Sequence, residues 1–337
     1  MGSTSRGRPS AEDIERLLVG APPRFTKEQV TAEAGVPREL AERIWRALGF
    51  AQRADDAVAF TEGDLGALRR VRRMLDSGAL DEQTVVRMAR ALGQTTARLA
   101  QWQAEIMIGA MVPPDPSEDD LARVLGAAQE LIPDFEQVLV HVWRAQLAAA
   151  GTRLLAIADG GDELVPTRVS MAVGFADLVS FTRRARELDE KELAELVEGF
   201  EARASDVVAG HGARLVKTLG DEVLFTAPSA AQAARIALDL VESGVELRIG
   251  MAYGPVLPMM GDVFGTTVNL AARLTAIARP GAILVDSALA DALADALADG
   301  LAGAPDGLAE VEVREIRRRP ARGLGVVRPY VLRRSSS

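Results

Sequence analysis

The sequence predicts an α+β protein in two parts: a helical N-terminal domain over 1–160 and a domain of mixed strands and helices over 161–337. Three observations carry this expectation. From Ala11 to about Asp159 the apolar residues recur three and four apart, as at Ile14, Leu17 and Leu18 and again at Ile44 and Leu48, which is the period of a helix. Near Arg168 the pattern changes to a run of Val and small residues, Arg168 to Val173, that suits a strand. Further on, two β-type runs, Arg214 to Leu219 and Glu222 to Thr226, flank Gly220-Asp221, a tight hairpin signal. A chain of 337 residues has room for two domains of about 150 residues, and helices mixed with hairpins suit an α+β or α/β sandwich.

Each element has a local reason. Thr26 followed three residues on by Gln29 is a capping-box start, able to satisfy two orphan N–H groups. Pro113, Pro114 and Pro116 break the helices, and Ser117 can cap the next one. A further helix is expected from near Asp134 to Ala158, ended by the Gly/Asp stretch Asp159 to Asp162. In the second part, helices are expected over Asp189 to Ala209, Ser229 to Ser243 and Thr267 to Ala278. Glu246 to Tyr253 alternates like a strand, and Ala282 to Val285 is a short one. Leu289, Leu293 and Leu297 fall four apart, so the Ala-Leu-Ala-Asp repeats between Ser287 and Asp299 read as an amphipathic helix. Val311 to Leu332 reads as strands around a basic loop. Residues 1–10 and 335–337 read as flexible tails.

Composition excludes several chemistries. With no cysteine there can be no disulfide, no zinc-thiolate centre and no cysteine nucleophile. Only His141 and His211 are present, which argues against a multi-histidine metal site in one chain. A net charge of −9 gives no broad electrostatic grip on nucleic acid or anionic membrane. No apolar run approaches the ~18–20 residues of a membrane span. Met1 to Ser10 is polar and lacks the apolar stretch of a secretory leader. A cytoplasmic location is expected.

Four short patterns carry polar residues that a bland fold does not require. Phe175-Ala176-Asp177-Leu178-Val179-Ser180-Phe181-Thr182 sets an Asp where a strand ends, able to point into a crevice or to cap a helix. Lys217-Thr218-Leu219-Gly220-Asp221-Glu222 presents a carboxylate at a hairpin tip with a lysine four positions earlier; alone it could be a solvated turn. Gly261-Asp262-Val263-Phe264-Gly265 is the third. In Val268-Asn269-Leu270-Ala271-Ala272-Arg273-Leu274, a helix stacks Asn269 and Arg273 on one face of an otherwise apolar segment.

In this order and spacing the four patterns resemble the class III adenylate and guanylate cyclase family, over about residues 168–333. Leu247 to Val256 also resembles the family's strand before the substrate loop, and the two-part plan looks like the soluble actinobacterial cyclases with a helical regulatory domain. The resemblance implies a ferredoxin-like βαββαβ catalytic fold and conversion of ATP to cyclic AMP and pyrophosphate. It implies two Mg²⁺ or Mn²⁺ ions, with Asp177 and Asp221 matching the metal aspartates and Leu178 beside them in the metal set. Hard cations want such oxygen ligands. Lys217 and Asp262 match the pair that reads the base; a lysine donating to N1 and an aspartate accepting from the 6-amino group select adenine over guanine. Asn269 matches the residue that orients the ribose, and Arg273 the one that stabilises the α-phosphate. Arg322, within Arg322-Gly323-Leu324-Gly325, resembles the triphosphate-binding position, where the family carries lysine; Arg317, Arg318 and Arg319 compete for that role. A homodimer is implied, each site taking its metal aspartates from one chain and the remaining residues from the other.

The N-terminal half is expected to regulate this site, as inhibitor or as activator. His141, on the helix that ends near Ala158, is the candidate proton sensor. An apolar ligand beside Ile106, Met107, Ile108 and Met111 is another candidate input, although such a stripe is ordinarily core. Thr31 to Val36 resembles a helix-turn-helix turn, and Arg69, Arg70, Arg72 and Arg73 form a basic cluster, so a DNA-binding regulator is a competing reading. A GTP cyclase and a catalytically silent nucleotide-binding domain are the others.

Overall fold

The computed structural model describes residues 11–113, 115, 117–158, 168–300, 311–321 and 325–335. The chain divides into two compact units, Met1–Gly151 and Thr152–Ser337. The division falls inside the last N-terminal helix rather than after it. Pro114, Pro116 and the Gly/Asp stretch 159–162 lie outside the described residues, as do residues 1–10 and 336–337 of the expected tails.

The first unit is built on helices α1 (Ala11–Val19), α2 (Lys27–Ala34), α3 (Arg38–Leu48), α4 (Glu62–Asp76) and α5 (Glu82–Met111), followed by α6 (Glu118–Ala158). Thr26 and Gln29 cap α2 reciprocally, and left-handed Gly35 ends it. The core joins Val30 of α2, Leu40 and Ile44 of α3, Leu65 and Leu68 of α4, and Val85 of α5. The α2–Gly35–α3 arrangement is a helix-turn-helix, but the basic residues of its second helix are committed. Arg38 pairs with Glu42 and Asp55, and Arg43 with Glu82. In the basic cluster, Arg69 faces Glu33 and Arg72 is held by Asp76. Ser117 starts α6, its hydroxyl accepting from the Asp120 N–H at 3.2 Å. The two helices expected here, from Ser117 and from Asp134, are one, with Pro133 inside it. A proline removes one rung of the ladder, yet the Leu-, Ala- and Glu-rich residues on either side propagate the helix through it. No helix among the described residues is long and apolar enough to cross a membrane.

The second unit opens with β1 (Val169–Leu178), α7 (Phe181–Glu187), α8 (Glu190–Gly210), β2 (Arg214–Thr218), β3 (Glu222–Ala227), α9 (Ala230–Glu242) and β4 (Leu247–Met259). It continues with β5 (Asp262–Phe264), α10 (Thr266–Ile277), β6 (Ile283–Val285), α11 (Ser287–Gly300), β7 (Val311–Glu315), β8 (Arg319–Ala321), β9 (Gly325–Val327) and β10 (Tyr330–Arg334). The sheet order β2-β3-β1-β4-β6-β10-β7 contains β2-β3-β1-β4, all antiparallel neighbours. With helices joining β1 to β2 and β3 to β4, this is the expected ferredoxin-like βαββαβ core, and β6 extends it in parallel to β4. Sequence reading missed α7 and β5, which are too short to show a period, and stopped β1 and β4 several residues early.

Strand alternation assigns the two faces. Ala172, Ala176 and Leu178 of β1 join Phe200 of α8, Ile236 of α9 and Leu289 of α11 in the larger core. Val173 and Phe175 point the other way and meet Ala271 of α10. Both faces of β1 are therefore covered, which is why its burial is nearly continuous instead of alternating. Asp177 has the parity of Val173 and Phe175 and so belongs to the α10 face.

The seat of α10 is set by Gly250 of β4, where a Cβ would lie 2.1 Å from the Thr275 N and 2.6 Å from the Ala271 O. Backbone cannot yield as a side-chain tip can. Gly250→Ala is expected to destabilise the protein by about 1–3 kcal/mol, the range for overpacking a core, read by denaturant unfolding. Unchanged stability would show that α10 is not packed this closely.

Candidate active site

The site grows from the end of β1. Asp177, 8% exposed, lies opposite Glu222 of β3 on one side and Arg248 of β4 on the other. Directly opposed residues share a face, so all three line the α10 side of the sheet. The Arg248 Nε donates to the Asp177 Oδ2. The hairpin turn is drawn in beside them, because the Leu178 N–H donates to the Asp221 carbonyl at 2.8 Å. Leu178 itself is core, 2% exposed, which confines any ligand role to its main chain.

Negative charge accumulates here at a cost. Burial pushes the Asp177 carboxyl above its usual range, against the pull of the Arg248 guanidinium, and Asp221 adds to the upward push. Burial, with Asp177 and Asp221 behind it, raises Glu222 to about 7. Such crowded oxygen donors fit a hard divalent cation. Among the described residues no group of three or more His, Asp or Glu side chains makes a self-contained metal cage. Two carboxylates supplemented by substrate phosphates and water are the way Mg²⁺ is ordinarily held, so the donor set fits an ion that arrives with a nucleotide.

Glu222 yields a pH prediction. Its folded-state value is raised, so its ionisation destabilises the fold increasingly as pH rises from about 4.5 to about 7, and by a constant amount above. Metal-free Glu222→Gln protein is expected to match its parent near pH 4 and to exceed it at pH 8. The gain is on the order of 1–2 kcal/mol after solvent screening of a half-buried group. Melting curves across that range check it; a difference that does not grow with pH contradicts it.

The second constellation is Lys217 of β2 and Asp262, the first residue of β5. They are 45 positions apart in sequence, and the Lys217 Nζ meets the Asp262 Oδ2 at 2.5 Å. Lys217 lies opposite Leu224, a residue of the α10-side core, so it shares the face of Asp177. Burial works to raise Asp262, but the bonds from Lys217 and the Val263 N–H, with the charges of Lys217 and Arg214, outweigh it and hold the carboxyl low.

Helix α10 supplies the third. Its buried side is Thr267, Ala271, Leu274 and Thr275. Asn269 and Arg273 lie opposite that side and are exposed. Four residues apart, they are stacked about 6 Å along the axis. Neither side chain has a hydrogen-bond partner among the described residues. Asn269 is inside the helix, and the cap position is Gly265.

Arg322 lies outside the described residues. Of its competitors, Arg319 donates to the Ile277 carbonyl at 3.3 Å, while Arg317 and Arg318 are exposed. His141 is exposed on α6. Sequence reasoning missed Arg248, Glu222 and Arg214. A charged residue inside a strand otherwise buried on both faces was the available signal for Arg248.

The sequence matches two family models: "Adenylate cyclase regulatory domain" over residues 13–150 and "Adenylate and Guanylate cyclase catalytic domain" over 166–316. An adenylate cyclase of Streptomyces coelicolor is 47% identical over 97% of this chain and 90% of its own length. One from Streptomyces griseus is 45% identical over 97% and 89%. A pH-sensitive adenylate cyclase of Mycobacterium tuberculosis is 31% identical over 80% and 70%. The chain belongs to the class III adenylate cyclase family, in the group that joins a helical regulatory domain to the catalytic one.

Proposed function

We propose that this adenylate cyclase converts ATP to 3′,5′-cyclic AMP and pyrophosphate at a site shared by two copies of the chain. Asp177 and Asp221, with the main chain of Leu178, hold two Mg²⁺ or Mn²⁺ ions. The observation that carries this is the convergence of Asp177, Asp221 and Glu222 at the end of β1, on the face that also bears Lys217. When bound, divalent ions supply phosphate neutralisation and activation of the attacking 3′-oxygen. The nucleophile belongs to the substrate, so the protein positions and stabilises charge.

Lys217 donates to adenine N1 and Asp262 accepts from the 6-amino group. Their contact in the absence of a base holds the Asp262 carboxyl low and keeps the two side chains aligned. Guanine offers a donor at N1 and an acceptor at O6, which leaves both groups unpaired. Asn269 orients the ribose, and Arg273 stabilises the charge that develops on the α-phosphate. The triphosphate contact is assigned to Arg322. The exposure of Asn269 and Arg273, together with exposed Leu257, Met259 and Phe264 around β5, supports completion of the site by a second copy. A cytoplasmic location belongs to this reading, supported by the lack of cysteine and the need for ATP. The deciding experiment is cyclic nucleotide formation by the full chain with Mn²⁺, from ATP and from GTP. Product from ATP alone is expected; equal product from GTP would refute the assignment of Lys217 and Asp262.

The N-terminal unit regulates this activity, and His141 is its proton sensor. His141→Ala is expected to flatten the pH–activity curve of the full chain. An unchanged curve removes His141 from that role.

A further inference from the structure

The β4–β5 hairpin that delivers Asp262 is built on a strained turn. Met259 pairs with Asp262, so Met260 and Gly261 form a two-residue connection. Both are left-handed, with φ of 55° and 79°. Such a mirror-image turn suits the right-handed twist of a hairpin, but it favours Asn or Gly at its first position. A methionine there pushes its Cβ toward the following carbonyl. The Met260 side chain, 69% exposed, provides no compensating burial.

What holds the turn comes from β2. The Arg214 Nη2 donates to the Gly261 carbonyl at 2.5 Å, one residue before Asp262. Arg214 and Lys217 are three apart, and in a regular strand they would point to opposite faces. The β2–β3 register slips between Leu215 and Lys217, setting Arg214 opposite Thr226 and Lys217 opposite Leu224. Thr226 and Leu224 are two apart on β3 and share a face, so the bulge brings Arg214 and Lys217 to the same side. A bulge re-aims side chains in this way. One strand thus grips two successive residues of the hairpin, Gly261 by Arg214 and Asp262 by Lys217.

We infer that Arg214 is a positioning residue for base selection, clamping the Met260-Gly261 turn so that Asp262 stays in register with Lys217. This rests on the reading of Lys217 and Asp262 as the base-reading pair. Arg214 does not touch the base; the charge it adds near Asp262 helps to keep that carboxylate ionised.

The test compares kcat/KM for ATP and GTP in the full chain with Mn²⁺. Arg214→Gln is expected to lower the ATP:GTP ratio about tenfold or more, mainly through a raised KM for ATP, since small misplacements cost one to two orders of magnitude. Adding Met260→Asn creates the Asn-Gly pair that favours this turn unaided, and is expected to restore most of the ratio. Asp262→Asn is the reference. An unchanged ratio in Asp262→Asn removes the base-reading assignment and the clamp with it. A fallen ratio there beside an unchanged ratio in Arg214→Gln overturns the clamp alone. A fall in Arg214→Gln that Met260→Asn does not rescue also overturns it, because Arg214 would then act through its charge and not through the turn.

Discussion

Cyclic AMP formation is expected to fall by roughly a thousandfold or more when Asp221 is replaced by alanine. Charge stabilisation by metal ions is worth several kcal/mol, and each 1.36 kcal/mol is a factor of ten. Asp221 is a cleaner target than Asp177. Removing Asp177 would leave Arg248 of β4 without its partner on β1, and a fall in activity would then mix chemistry with stability. Asp221 sits in a turn whose left-handed residue is Gly220, and its tie to β1 runs through its main-chain carbonyl, which alanine keeps. Product formation with Mn²⁺, beside unfolding curves of the two proteins, reads the effect. Activity within tenfold of the parent at equal stability would remove Asp221 from the metal site.

The second large effect is a loss that mixing reverses. Arg273→Ala alone is expected to lower the rate by about 10²–10³, as removal of a donor aimed at developing charge does. The Arg273 side chain is exposed and has no partner among the described residues, so the fold does not depend on it. If each site takes Asp221 from one chain and Arg273 from its twin, an Asp221→Ala chain paired with an Arg273→Ala chain contains one intact site. Random pairing of equal amounts then returns about a quarter of the parent activity, because half of the two-fold dimers are mixed and each has one good site of two. Both variants alone stay near zero. A mixture no more active than its components would mean that the site is complete within a single chain.

The two variants also mark how far local sequence reaches. Asp177, Asp221, Lys217, Asp262, Asn269 and Arg273 stand in short patterns that look out of place in an ordinary core. The helical period of α9 and the Gly220-Asp221 hairpin were plain for a related reason: they depend on neighbours three, four or two positions away. The same is true of the Leu289–Leu293 stripe, fully buried in α11. The break expected before Asp134 is absent, because the one bond that Pro133 removes is small beside the propagation of 41 residues of helix.

The partners that Arg248, Glu222 and Arg214 meet were not legible for the opposite reason. Asp177 meets Arg248 across 71 positions and Arg214 meets Gly261 across 47. Which residues face one another there is a matter of strand register, and a slip of one residue would reverse every side chain. The bulge in β2 is such a slip, and it alone sets Arg214 beside Lys217 on one face. Composition and short-range pattern were therefore enough for the α+β class and for most of the helices. The pairing of Asp177 with Arg248 and of Lys217 with Asp262, and the bond from Arg214 to the Gly261 carbonyl, came only with the closed sheet, because long-range register sets them and no local preference encodes it.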